Sequence, residues 1–137
     1  MAYSVFTKWR YYDRLPSRVI NLKQHYPISA IYDLVERLYF EIKKHKEFYE
    51  KFFKGIKLEE LIRIQKETFA YLFGYTDKDP NVDLYESHKH LNIKDEDWHE
   101  FVQIFTKVLK DAHLPEEHIQ HILEKVSGFK NDIIKKD

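Results

Sequence analysis

The chain has no cysteine, only three glycines and four prolines in 137 residues, and no excess of either charge, with 23 lysines and arginines against 23 aspartates and glutamates. Each shortage excludes something. Without cysteine there is no disulfide, thiolate zinc site, iron–sulfur cluster or cysteine nucleophile, and the lack is compatible with a reducing compartment. With charges balanced and a sequence pI near 7.1, there is no global basic field to hold nucleic acid or an anionic membrane. No apolar run approaches the roughly 20 residues that span a bilayer. The start, "MAYSVFTKWRYY", lacks the apolar stretch of a signal peptide. Neither a glycine-rich phosphate loop nor a Gly-x-Ser-x-Gly nucleophile motif occurs. The expectation is a cytoplasmic protein that binds neither nucleic acid nor membrane.

What is present is apolar and helical. The sequence is 43% hydrophobic and 16% aromatic, enough for one sizeable core but not comfortably for two. Ile31, Leu34, Val35, Leu38, Tyr39 and Ile42 recur at steps of three and four, one stripe of a helix from Ile28 to about Lys44, started by Ser29 or Pro27. A second stripe runs through Leu58, Leu61, Ile62, Gln65, Phe69, Leu72 and Phe73 to Gly74, a residue suited to a left-handed helix stop. A third takes Trp98, Phe101, Val102, Phe105, Val108 and Leu109 after the acidic start Asp95–Asp97, which favours the helix dipole. The fourth follows Pro115 and buries Ile119, Ile122, Leu123, Val126, Phe129 and Ile133. Residues 1–24 read as an amphipathic helical extension broken near Pro16, ahead of a domain at 25–137. Its aromatics Tyr3, Phe6, Trp9, Tyr11 and Tyr12 suit either a docking surface or an extra helix packed on the core.

Two polar-capable residues, Tyr39 and Gln65, interrupt these apolar stripes. Each can satisfy itself, the hydroxyl at the surface and the amide on a backbone carbonyl; together they can instead share one buried polar ligand. In "LYESHKHLNIKDEDWHEF", helical geometry puts His88 on the face of Leu84 and Leu91 and turns His90 about 200° away. At most one of the two faces a pocket, and a core histidine with no ligand role remains an open reading. Other constellations are poorer. The two Glu-x-x-His motifs that a di-iron bundle needs do not both occur, and His118 with His121 reads as a solvated face rather than zinc. Lys43, Lys44 and Lys46, mixed with Glu47 and Glu50, also read as a solvated face.

From about Ile28 onward, a series of fragments resembles the truncated haemoglobins, first group. "LVERLYFEI" is similar to the family's B helix with its distal tyrosine, Tyr39; "KFFKGIKLEEL" to the phenylalanine pair before the E helix, with Phe53 packed on haem. "LIRIQKETF" places Leu61 and Gln65 on the distal helix, with Phe69 one turn on. "SHKHLNI" resembles the proximal segment, with His88 five residues before Ile93. "DEDWHEF" and "LPEEHIQHIL" resemble the starts of the G and H helices.

The resemblance implies an all-α fold, a two-over-two helical sandwich, and non-covalent haem b with His88 as iron ligand. Phe53, Leu61, Phe69, Leu84, Ile93, Trp98 and Phe101 would line the haem, with Tyr39 and Gln65 bonding its gas ligand. Dioxygen, nitric oxide and carbon monoxide are the implied ligands. The implied reaction is nitric oxide dioxygenation with an external electron donor or reductase; dioxygen binding, storage or sensing without catalysis is the alternative. A monomer or weak homodimer is expected. A haem-free helical interaction domain is the reading from a different class.

Departures from the family pattern modify this. Its glycine pairs are replaced by Tyr26–Pro27 and Gly74–Tyr75, so those corners must turn differently. Ile64 stands where some members place a second iron-binding histidine, and Phe129 where some attach a haem vinyl group. Both favour one-sided, non-covalent ligation. Bulky Phe101 is expected to narrow an apolar channel to the distal side.

Overall fold

The computed structural model describes residues 20–80 and 88–134. Among them all regular structure is helical. The first α-helix, α1, spans Ile28–Lys44 and buries Ile31, Leu34, Val35, Leu38, Tyr39 and Ile42, the stripe that the spacing of three and four lays on one face. Pro27 leads in with extended backbone at φ −70, ψ 161 and gives no side-chain cap. At His45 the chain leaves helical geometry for one residue, φ −90 and ψ 82, and its N–H bonds back to the Ile42 carbonyl at 2.9 Å. The next helix, α2, follows at once over Lys46–Phe53, burying Phe48 and Phe52. Periodicity does not announce it, because eight residues are too short to display a repeat.

Helix α3 spans Leu58–Leu72 and stops where expected. Gly74 takes φ +80, its N–H bonds to the Tyr71 carbonyl at 3.1 Å, and the Tyr75 N–H reaches the Ala70 carbonyl at 2.8 Å. These are the paired bonds of a Schellman ending, which needs a left-handed residue and so favours glycine. Helix α4 spans Asp95–Asp111 and buries Trp98, Ile104, Phe105, Val108 and Leu109. Its start is held by Asp97, whose Oδ2 accepts from the Lys94 N–H at 3.0 Å and whose two oxygens accept from Lys51 Nζ at 3.0 and 3.2 Å. One buried carboxylate therefore caps α4 and ties α2 to it.

Helix α5 spans Glu116–Ser127 and buries Ile119, Ile122 and Val126. The single face expected to continue through Phe129 and Ile133 breaks at Gly128, and a short helix α6, Lys130–Ile133, follows. The Gly128 N–H is shared between the Glu124 and Lys125 carbonyls, at 3.2 and 3.3 Å, and glycine is a poor helix former. Helix α1 packs on α3 and on α4, and α4 packs on α5. This is the pairing of a two-over-two sandwich, with α1 and Phe105, Val108 and Leu109 of α4 in the common core. Among the described residues, no helix is long and apolar enough to cross a membrane.

The chain enters through a 3-10 turn, Leu22–Gln24, that places Leu22 at 2% exposure in the core cluster. The rest of the expected extension, residues 1–19, lies outside the described residues, as do 81–87 and 135–137. The two tyrosines at the corners where the resemblance led us to expect glycine meet one another. Tyr75 donates its hydroxyl to the carbonyls of Tyr26, at 2.8 Å, and Leu22, at 3.2 Å. The Tyr26 hydroxyl in turn shares a hydrogen bond with Nδ1 of His118 at 2.6 Å. His118 is 6% exposed, which corrects the solvated face read for it from sequence: the phenol supplies the partner that lets an imidazole be buried. His25 lies over it, ring centroids 4.6 Å apart.

Candidate functional site

Tyr39 lies on the buried face of α1 at 7% exposure, and its ring meets Phe53 of α2 edge-on, centroids 5.7 Å apart and planes at 87°. Phe53 is itself held by Tyr49, stacked at 6.2 Å, and by Phe48 at 6.3 Å. Only His45 separates the two helices, which is why residues 14 apart in sequence come together. Among the described residues the Tyr39 hydroxyl has no hydrogen-bond partner. Burial raises its pKa, so the hydroxyl keeps its proton and remains a donor at any physiological pH.

Opposite lies α3. Only Phe69 and Ala70 are fully buried within it, whereas α1, against which it packs, buries six. Leu61, Ile62, Ile64 and Gln65 are each half-covered, and the Gln65 amide has no hydrogen-bond partner among the described residues. A run of rings continues the apolar wall: Phe69 to Phe105 at 5.9 Å, Phe105 to Phe101 at 6.0 Å, and Phe101 to Trp98 at 5.5 Å. Phe101, like Ile93 and Leu61, is a partly buried residue packed against the core.

His88 is half-buried and precedes a 3-10 turn, Lys89–Leu91, that ends on Asn92 in the left-handed region at φ 57, ψ 44. The α-helical spacing assumed from His88 to Leu91 therefore tightens, although His90 is exposed, as its opposite facing required. Leu84 lies outside the described residues.

These surroundings fit haem. A flat, largely apolar cofactor needs an incompletely covered apolar face, which α3 offers, and a diatomic ligand needs a buried donor lacking a partner, which Tyr39 offers. The residues able to hold it are the rings of Phe53, Phe69, Trp98 and Phe101, the aliphatic Leu61 and Ile93, and the His88 imidazole. A surface cleft of about 590 Å³ lies elsewhere, lined by polar groups including His45, Glu96, His99, Glu100 and Lys107. It shares no residue with this set, and six of its seven lining residues carry polar side chains. Sequence reasoning did not find the buried Asp97 or the Tyr26–His118–Tyr75 network. The only signal for the latter was the pair of tyrosines at corners where glycine was expected.

No curated protein gives a significant match to the chain. A family model described as Bacterial-like globin matches residues 28–135, beginning at the first residue of α1 and taking in every helix described above. With helices as the regular structure of the described residues, an apolar face left half-covered and a buried Tyr39 hydroxyl without a partner among those residues, the chain belongs to the bacterial-like globins and is a haem-binding protein.

Proposed function

We propose that the chain holds haem b non-covalently, with His88 as the one protein ligand to iron, and converts nitric oxide and dioxygen to nitrate. Bound haem supplies the iron at which diatomic gases are taken up. The chain's residues supply the rest. Phe53, Leu61, Phe69, Leu84, Ile93, Trp98 and Phe101 enclose the apolar ring system. Tyr39 and Gln65 donate hydrogen bonds to a gas molecule that carries partial negative charge. Ile64 offers no imidazole from α3, so the gas side stays open, and Phe129 offers no nucleophile to a vinyl group.

One observation carries the reading: the Tyr39 hydroxyl is buried without a partner among the described residues. A buried hydroxyl left unpaired costs about 1–3 kcal/mol, and a polar gas ligand removes that cost. The net reaction is NO + O2 + e− → NO3−. Its electron comes from a donor that these 137 residues do not themselves supply, since they contain no dinucleotide-binding loop.

Haem binding is tested by absorbance. The protein supplied with haem should show a Soret band that His88→Ala alters strongly and His90→Ala leaves nearly unchanged; no band, or one indifferent to His88→Ala, removes His88 from the role. Catalysis is tested by counting turnovers. Reduced protein with a competent donor should consume nitric oxide many times per haem, and a single turnover reduces the function to dioxygen binding.

A further inference from the structure

The Tyr26–His118 pair lies away from the gas-binding residues, and the function above makes no use of it. We propose that it forms a proton-coupled oxidation site. There Tyr26 gives one electron to the haem centre, once hydrogen peroxide has oxidised that centre, and gives its phenolic proton to Nδ1 of His118. The inference rests on the haem reading above.

A phenol is hard to oxidise while its proton has nowhere to go, because the radical cation is a very strong acid. A hydrogen-bonded base that takes the proton as the electron leaves lowers that barrier. The chain has ten tyrosines. Among the described ones only Tyr26 places its hydroxyl against an imidazole, at 2.6 Å. Tyr75 donates to backbone carbonyls, which are too weakly basic to accept a proton outright, and the Tyr39 hydroxyl has no partner among the described residues. The base is available. His118 is buried, and burial together with the adjacent His25 holds its pKa below the ordinary range, so it is neutral at pH 7. Burial also raises the Tyr26 phenol, which keeps the proton on until oxidation.

The chain itself links the haem-lining residues to this pair. Phe73 lies one turn beyond Phe69, about 6 Å along α3, with ring centroids 5.8 Å apart. Two residues later the Tyr75 hydroxyl touches the Tyr26 carbonyl.

The step balances. With haem bound, peroxide would take two electrons and two protons to become water and would leave the haem centre two electrons short. Tyr26 fills one: its O–H bond breaks, an N–H bond forms on His118, and a neutral phenoxyl radical faces an imidazolium. A one-electron reductant of the ascorbate class restores the phenol, and a second fills the remaining equivalent.

The test mixes ferric, haem-loaded protein with hydrogen peroxide, freezes it rapidly and records electron paramagnetic resonance. A tyrosyl signal is expected that disappears in Tyr26→Phe and persists in a variant of the exposed Tyr71, Tyr71→Phe. Its formation should slow in deuterium oxide, and that slowing should be lost in His118→Gln. A nitroso spin trap followed by peptide mass spectrometry of the unmutated protein should place the adduct on Tyr26, a readout independent of how any variant folds. A signal undiminished in Tyr26→Phe, adducts confined to other residues, or peroxide consumed without a tyrosyl signal each overturns the inference while leaving haem binding intact. Failure of the haem reading shows separately, as a missing Soret band, and overturns both.

Discussion

The Tyr75 hydroxyl donates to the Tyr26 carbonyl at 2.8 Å, joining the corner after α3 to the corner before α1 across 49 residues of sequence. Both tyrosines replace glycines of the family pattern. Where glycine lets a corner turn by backbone freedom alone, here the extended Pro27 and the Tyr75 bond fix it.

Removing that hydroxyl should be costly in one place only. In Tyr75→Phe the Leu22 carbonyl keeps its bonds from His25 and Tyr26 N–H groups, at 3.0 and 2.9 Å, whereas the Tyr26 carbonyl loses the partner described here. A loss of about 1–2 kcal/mol is expected, read as a lower urea midpoint with an unchanged slope.

Asp97 and Lys51 pair unequally. Lys51 is about half exposed, so Lys51→Ala should cost less than about 1 kcal/mol. Asp97→Ala also strips the Lys94 N–H of its acceptor at the start of α4 and should cost about 1–3 kcal/mol. Equal losses in chemical denaturation would deny Asp97 its capping role.

Tyr39→Phe removes the buried donor and nothing else. Dioxygen should leave roughly ten to a hundred times faster, and carbon monoxide, being less polar, should be affected much less. Stopped-flow displacement measures both; equal small effects would dismiss Tyr39 as a ligand-bonding residue.

Acid should weaken the fold through two histidines. Burial and His25 depress His118, against a smaller opposing pull from Glu117, and burial, Lys125 and His118 depress His121. From the ordinary histidine value near 6.5 down to the depressed ones, the unfolded chain binds protons that the folded chain does not. Stability is therefore fully present above about pH 6.5 and falls as pH drops through the folded values. Urea midpoints measured across that window should fall with acid in the wild type and fall less in His118→Gln.

The longer helices were legible because their information is local: a stripe at steps of three and four gave α1 from Ile28 to about Lys44, and Gly74 gave the stop of α3. Tyr39 was legible as a polar interruption of an apolar face, and that face is buried. The pairs that join distant segments were not. Nothing local in Tyr26 or His118 signals a contact across 92 residues, so His118 read as a surface residue. Helix α2 was too short to show a period, and the break at Gly128 was hidden because the apolar spacing continues through it.

With haem in the proposed site, the half-covered face of α3 makes part of this protein's core something other than polypeptide. A cofactor that binds the folded chain but not the unfolded one adds stability as the logarithm of its free concentration over its dissociation constant. Leu61, Ile62, Ile64 and Gln65 finish folding, in that sense, with material the sequence does not encode. The persistence of the gas-binding side is thus set by mass action, rising and falling with the supply of haem.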